Sequence, residues 1–170
     1  MVGLIEGLVD FLEQVQHDPA IYSLMFFIYA VAATIILPVP VELMLFLSPD
    51  TSIVIKALVL GLGKAVGSIL VFYIGVNVEG PILKLADKWK FFRKLVAACQ
   101  LVVTKFGYFG LYLIMSIPLM VDTVPVYLFS IFNKEGTMDV RYFAIVNLAA
   151  GITRAAVVYA VFYALGIKLL

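Results

Sequence analysis

Four ionisable side chains lie inside stretches of this chain that are otherwise apolar: Glu42, Lys64, Asp122 and Arg154. Lys64 and Arg154 fall 12 and 14 residues into apolar runs that begin at residues 52 and 140. In a bilayer-crossing run that depth is near the centre, where a charged side chain costs roughly 2.5–3.5 kcal/mol on insertion scales. Each base must therefore face a partner or a wet cavity. Glu42 ends the stretch Pro38-Val39-Pro40-Val41-Glu42, and Asp122 lies between Pro118 and Pro125. Proline lacks an N–H and clashes with the preceding turn, so each acid marks a helix break. Broken backbone at membrane depth is tolerated only where it is buried in protein or lines a cavity.

Two chemistries fit that pattern. In one, Glu42–Lys64 and Asp122–Arg154 are ion pairs that lock each break to the span that follows it. In the other, the bases attract an anionic headgroup while the acids take up protons or gate the path. Helix N-termini after each break add partial positive charge at the same place. The remaining polar residues read as structural: Glu79 beside Gly80-Pro81 as an interfacial cap, Asn147 as an interhelical hydrogen-bond residue, Tyr73 and Tyr163 as packing or interface residues. His17, the single histidine, reads as a solvated interfacial residue. The chain has no nucleophile–base set, no metal-ligand spacing and no phosphate-binding loop. With one histidine and one cysteine, Cys99, most intramembrane enzyme chemistries lack parts. The sequence thus predicts no enzyme, no cofactor, no metal and no nucleic-acid partner.

The elements that would position these residues follow from composition. Of 170 residues, 64% are hydrophobic, and the mean hydropathy is +1.12; this predicts an all-α integral membrane protein forming one membrane domain over 1–170. Residues 1–18 hold Glu6, Asp10, Glu13 and Asp18 and no Lys or Arg. Ile5, Leu8, Leu12 and Val15 share one helical face there, predicting an interfacial amphipathic helix. Residues 82–105 read as a basic amphipathic connector, with Lys84, Lys88, Lys90, Arg93, Lys94 and Lys105 against Asp87 alone. The positive-inside bias puts that connector on the cytoplasmic side of a multi-pass cell-membrane protein, touching anionic headgroups. Residues 20–48 form either a short span or a re-entrant hairpin broken at Pro38 and Pro40. Residues 52–77 form a span closed by Gly80-Pro81, residues 106–132 a second broken segment, and residues 140–167 the last span. Gly61, Gly63, Gly67 and Gly151 suit close helix packing.

Shifting the sequence by 90 residues superposes the two long spans without a gap. Gly61 meets Gly151, Lys64 meets Arg154, and Val71-Phe72-Tyr73 meets Val161-Phe162-Tyr163. Upstream, Pro40 and Pro125 differ by 85, a five-residue change of register. The first repeat then covers 20–80 and the second 106–167. If 20–48 enters from outside and 52–77 runs inward, the second hairpin enters from the cytoplasm and 140–167 runs outward. The expectation is an inverted repeat of two re-entrant hairpins, each followed by a transmembrane helix, with a site near the midplane.

The proline-broken hairpin ending Pro-x-Pro-x-Glu42, followed by Gly63-x3-Gly67-x5-Tyr73-x-Gly75, resembles the DedA family and the wider VTT-domain membrane proteins. Lys105-Phe106-Gly107-Tyr108-Phe109-Gly110-Leu111 followed by Ile117-Pro118 resembles the same superfamily, in particular the branch labelled small multidrug export proteins. The resemblance covers residues 20–167. It implies two re-entrant hairpins in inverted repeat and a lipid-handling role: flipping of polyprenyl-phosphate carriers, phospholipid scrambling, or proton-dependent export. The family's acidic position in the first hairpin matches Glu42. Its second hairpin usually carries arginines flanking the Ile-Pro, where this chain has Met115 and Val121.

The leading expectation is a flippase for an anionic lipid, with Lys64 and Arg154 holding the headgroup and Glu42 and Asp122 coupling movement to protonation. The alternatives are a proton-coupled exporter of small amphiphilic or cationic compounds, and a non-transporting membrane scaffold. The partners predicted are membrane lipids, and a homo-oligomer is compatible with the pattern.

Overall fold

Asp18 starts the first helix of the computed structural model, its carboxylate accepting from the Ala20 and Ile21 amides at 2.9 and 3.2 Å. Pro19 follows at a position where a missing N–H leaves no bond unmade. The structure describes residues 7, 18–37, 40–48, 50–86, 90–133 and 138–165, and the side chains of 76, 79–86, 90–100 and 102 are not among them. The expected helix over 2–16, His17, Pro38 and the side chains of Glu79 and the basic residues of 84–94 therefore lie outside the described residues.

Six helices and no strand make up the described chain: α1 (Pro19–Ile35), α2 (Leu43–Phe46), α3 (Ile53–Ala86), α4 (Lys90–Ser116), α5 (Thr123–Ile131) and α6 (Val140–Ala164). Ile53–Gly75 within α3 and all of α6 are long and apolar enough to cross a membrane. α1 is shorter: its 17 residues span about 25 Å, less than a hydrocarbon core of ~30 Å. Contrary to expectation, α3 does not stop at Gly80-Pro81 but runs to Ala86. α4 is two helices in one: Gly107, at φ 47° and ψ −136°, interrupts it. Only glycine takes that conformation without steric strain.

Two contacts among the described residues join distant parts of the chain. Tyr22, one turn into α1, donates its hydroxyl to the Met44 carbonyl, so α2 lies beside the first turns of α1. Tyr108, just past the Gly107 break, accepts from the Asp139 amide at the foot of α6.

α3 and α6 make the most extensive helix contact, with α1 and α5 also seated on α3, and α4 on α6. Gly61 and Gly151 meet where α3 and α6 cross. α1 packs over Gly63 and Gly67, where a side chain would strike Ala30 and Thr34. Two apolar cores result, one around α1, α2 and Leu60, the other around α4, α5 and Val71. Outside them the polarity is reversed from that of a water-soluble helix. Val54, Leu58, Leu62, Val66 and Leu70 form an exposed stripe along α3, while Lys56, Lys64 and Ser68 are buried.

Candidate functional site

The four apolar-context charges converge where one core gives way to the other. On α3, Lys64 falls between Leu60 of the first core and Val71 of the second; on α6, Arg154 falls between Ala150 and Val158. Lys64 and Arg154 are 0% exposed, Glu42 1% and Asp122 2%. Lys64 Nζ lies 3.1 Å from Asp122 Oδ1, and Arg154 Nη1 lies 2.8 Å from the same oxygen. Arg154 Nη1 also lies 3.3 Å from Glu42 Oε1.

This wiring corrects the expected pairing. Asp122–Arg154 forms as predicted, but among the described ion pairs Glu42 reaches across to Arg154, not to Lys64 of its own half. Asp122 in turn holds both cations. The one expected pair that forms is thus part of a network that ties α2, α3, α5 and α6 together.

The network also holds the second break, 117–122. Lys64 Nζ donates to the Met115 carbonyl at 3.2 Å, Arg154 Nη1 to the Met120 carbonyl at 3.2 Å, and the Leu119 amide donates to Glu42 Oε1 at 2.9 Å. Leu119 has φ +61°, a left-handed conformation costing a side-chain-bearing residue about 1–2 kcal/mol. Thr123 Oγ1 adds a bond to the Ala33 carbonyl at 3.0 Å, joining α5 to α1.

Glu42 and Asp122 occupy equivalent places. Each directly precedes a short helix, in helical φ/ψ, and neither caps that helix with its side chain. An acid at this position usually satisfies the helix's free amides; here both carboxylates are diverted to cations. Pro40 lies in the first break and Pro118 in the second. Pro125, expected at the second break, is instead the third residue of α5 and buried. The better register is 80 residues: Leu37-Pro38-x-x-Val41-Glu42 against Ile117-Pro118-x-x-Val121-Asp122. That spacing was visible in the sequence and would have paired the two acids directly.

Half of the network's hydrogen-bonding capacity has no partner. Glu42 Oε2, Asp122 Oδ2, and Arg154 Nε and Nη2 are buried without one in the structure, as is the Tyr29 hydroxyl. Buried polar groups are normally satisfied, and an orphan on a charged group costs more than one on a neutral group. The arrangement is a neutral set of two acids and two bases with several open donor and acceptor positions. It can exchange a carboxylate for another oxyanion at the guanidinium without changing the cation count.

Sequence reading missed Lys56, which is 3% exposed on the first turn of α3. Its Nζ donates to the Leu45 carbonyl at 3.1 Å and lies 5.9 Å from the centre of the Tyr22 ring. With Tyr22 on the Met44 carbonyl, it holds the free carbonyl end of α2. Its position four residues past Ser52 in an apolar run was the available signal. Asn147, expected to bond between helices, donates to Phe143 of its own helix at 2.9 Å. Tyr73 and Tyr163 are exposed, at 57% and 75%. No metal-binding group of His, Cys, Asp and Glu occurs among the described residues. Comparison of the chain with known protein families, with curated proteins and with solved structures finds no match.

Proposed function

We propose that this protein is a multi-pass transporter of the cell membrane that moves an anionic lipid, a lipid-linked phosphate, between leaflets with protons as the coupling ions. The reading takes the chain as two re-entrant hairpins in inverted repeat, with the connector 82–105 on the cytoplasmic side. Three observations support that architecture. The first broken segment folds back on a tyrosine near its start, Tyr22 on Met44, and Tyr108, near the start of the second, meets Asp139 at the foot of α6. Gly61 and Gly151, superposed by the 90-residue shift, touch each other, as residues on a two-fold axis do. The apolar stripe on α3 faces outward while the charges face inward. The resemblance to the DedA and VTT-domain proteins points the same way.

The observation that carries the function is the state of Arg154. It is fully buried and held through Nη1 alone, with Nε and Nη2 free. A guanidinium offers a planar fork that matches phosphate, and a phosphate oxygen pair takes those two donors. Protonation of Glu42 and Asp122 removes the charges that hold Arg154 and Lys64. Both bases then become receptors for the headgroup, and its departure lets the acids ionise and re-form the network. Each cycle thereby couples proton uptake to anion binding. A cationic amphiphile as cargo would need a carboxylate without a cation, and both acids lie within 3.3 Å of Arg154; the geometry favours the anion.

The test is leaflet translocation of a short-chain polyprenyl phosphate in liposomes. Arg154→Ala is expected to abolish it, Arg154→Lys to retain a fraction for want of the fork, and Glu42→Gln to remove its dependence on a pH gradient. Unchanged flipping in Arg154→Ala and Glu42→Gln sinks the proposal. Lower stability with no flux in any variant or in the parent would instead favour the scaffold.

A further inference from the structure

The second break runs between two fixed points. Before it, the Tyr112 hydroxyl and Thr153 Oγ1, 2.8 Å apart, tie the last turns of α4 to α6. After it, Thr123 is bonded to the Ala33 carbonyl at 3.0 Å. Between these points, among the described residues, 117–121 are hydrogen-bonded to other segments only through the charge network. Leu119 N donates to Glu42 Oε1 at 2.9 Å, and Arg154 Nη1 donates to the Met120 carbonyl at 3.2 Å. We propose that 117–121 is a flap over Arg154, latched by the Leu119 N–H bond to ionised Glu42 and released when Glu42 takes up a proton.

Backbone geometry opposes the latch. Leu119 is left-handed at φ +61°, a conformation unfavourable for any residue with a Cβ. Its side chain is 71% exposed, with Ile117 exposed two residues before it, so burial does not offset the strain. The bond to Glu42 does, because an ionised acceptor holds an N–H about twice as strongly as a neutral one. Protonation weakens that bond and leaves the strain in place. The first break is held differently: Tyr22 bonds the Met44 carbonyl and Lys56 the Leu45 carbonyl, and neither contact involves the network. The flap has Arg154 bonded to its Met120 carbonyl on one side and the phase that Leu119 faces on the other. Release therefore opens a way for an anion to reach the guanidinium. Facing Glu42 are Arg154 from α6, Lys64 from α3 and Tyr29 from α1, with Asp122, at the head of α5, on the same Arg154 nitrogen. Asp122 is the other carboxylate of this set, and its protonation leaves the Leu119 bond intact. The switch rests on the reading above in taking Glu42 as the proton acceptor.

The experiment uses the full chain in phosphatidylcholine nanodiscs. Pro118-Leu119 is the one Pro–Leu step in the sequence, so carbonyl-¹³C proline with ¹⁵N leucine makes the Leu119 amide the single signal of a carbonyl-selected NMR spectrum. At neutral pH its proton should resonate downfield, as a bond to a carboxylate requires, and it should move upfield as the pH falls. Glu42→Met should hold it at the low-pH position throughout. Leu119→Gly accepts the positive φ without strain and should cut the released fraction at a given acidic pH roughly fivefold. The parent chain has no Pro–Gly step, so proline–glycine labelling isolates that variant's amide as well. If Glu42→Met does not fold, the parent titration and Leu119→Gly decide. A Leu119 signal that pH leaves in place overturns the proposal. So does a shift that persists in Glu42→Met, or a released fraction that does not fall in Leu119→Gly. No cargo is present in this measurement, so the two readings fail separately. A working latch without lipid translocation removes the transport reading alone, and translocation with an immovable Leu119 signal removes the latch alone.

Discussion

Gly61 and Gly151 are in direct backbone contact: a Cβ on Gly151 would lie 2.8 Å from Gly61 Cα, and one on Gly61 would lie 2.8 Å from the Leu148 carbonyl oxygen. The atoms in the way are backbone, which cannot swing aside. Gly151→Ala should therefore push α3 and α6 apart and lower stability by about 1–3 kcal/mol, read as a fall in melting temperature in detergent. Because Lys64 Cδ is also close to that position, at 3.1 Å, the same change should weaken the Lys64–Asp122 pair.

Gly107 offers the opposite test. A Cβ there would meet nothing within 4 Å, so packing predicts no effect of Gly107→Ala. Its φ of 47° with ψ of −136° predicts a loss of about 1–3 kcal/mol from backbone strain alone. A neutral result in thermal unfolding would mean that α4 runs straight through this position.

The ion network makes an asymmetric prediction about its acids. Asp122→Asn leaves two buried cations facing one carboxylate and should cost about 3–5 kcal/mol. Glu42→Gln keeps an acceptor for Leu119 N and should cost less. A double-mutant cycle for Lys64→Met with Asp122→Asn should show a coupling of about 0.5–3 kcal/mol, and one for Lys64→Met with Glu42→Gln a smaller value. Reversed couplings would restore pairing within each half.

Thr123→Val keeps the shape of the side chain and removes its bond to the Ala33 carbonyl. The expected loss is about 0.5–1.5 kcal/mol, measured by chemical or thermal unfolding. A larger effect would indicate that the second break shifts when α5 is freed from α1.

Ala20 and Ser52, both exposed, flank the first broken segment. Replaced by cysteine in a Cys99→Ser background, both should react with a membrane-impermeant maleimide from the same side. Reaction from opposite sides makes 20–48 a plain span and removes the first hairpin.

How far the sequence revealed this arrangement depended on the physics behind each signal. The four charges were legible because hydrocarbon makes an ionised side chain expensive, and the breaks because proline cannot continue a helix. The closeness of Gly61 and Gly151 had a sequence signal, because the 90-residue shift sets them opposite each other with Lys64 and Arg154 three residues on. Asp122–Arg154 was legible too, but Lys64–Asp122 and Glu42–Arg154 were not, because they join segments far apart in the chain. Pro125 drew the register to 85 residues although it lies inside α5, where the first turn of a helix tolerates it. Gly80-Pro81 read as a stop, yet α3 passes through it. Lys56 escaped notice because a lysine early in an apolar run is ordinarily one that snorkels to the surface; Leu45 and Tyr22 give it a buried seat instead.

The cross-half wiring sets an order of events at the ribosome. The acid that neutralises Lys64 comes 58 residues after it, so α3 leaves the translation machinery with a lysine whose partner has not yet been made. Under the membrane reading, α3 must wait beside the translocon, or sit shallow, until α5 emerges and Asp122 can be delivered. An N-terminal half released alone would then be a substrate for quality-control proteolysis, and co-expression with the second half should rescue it.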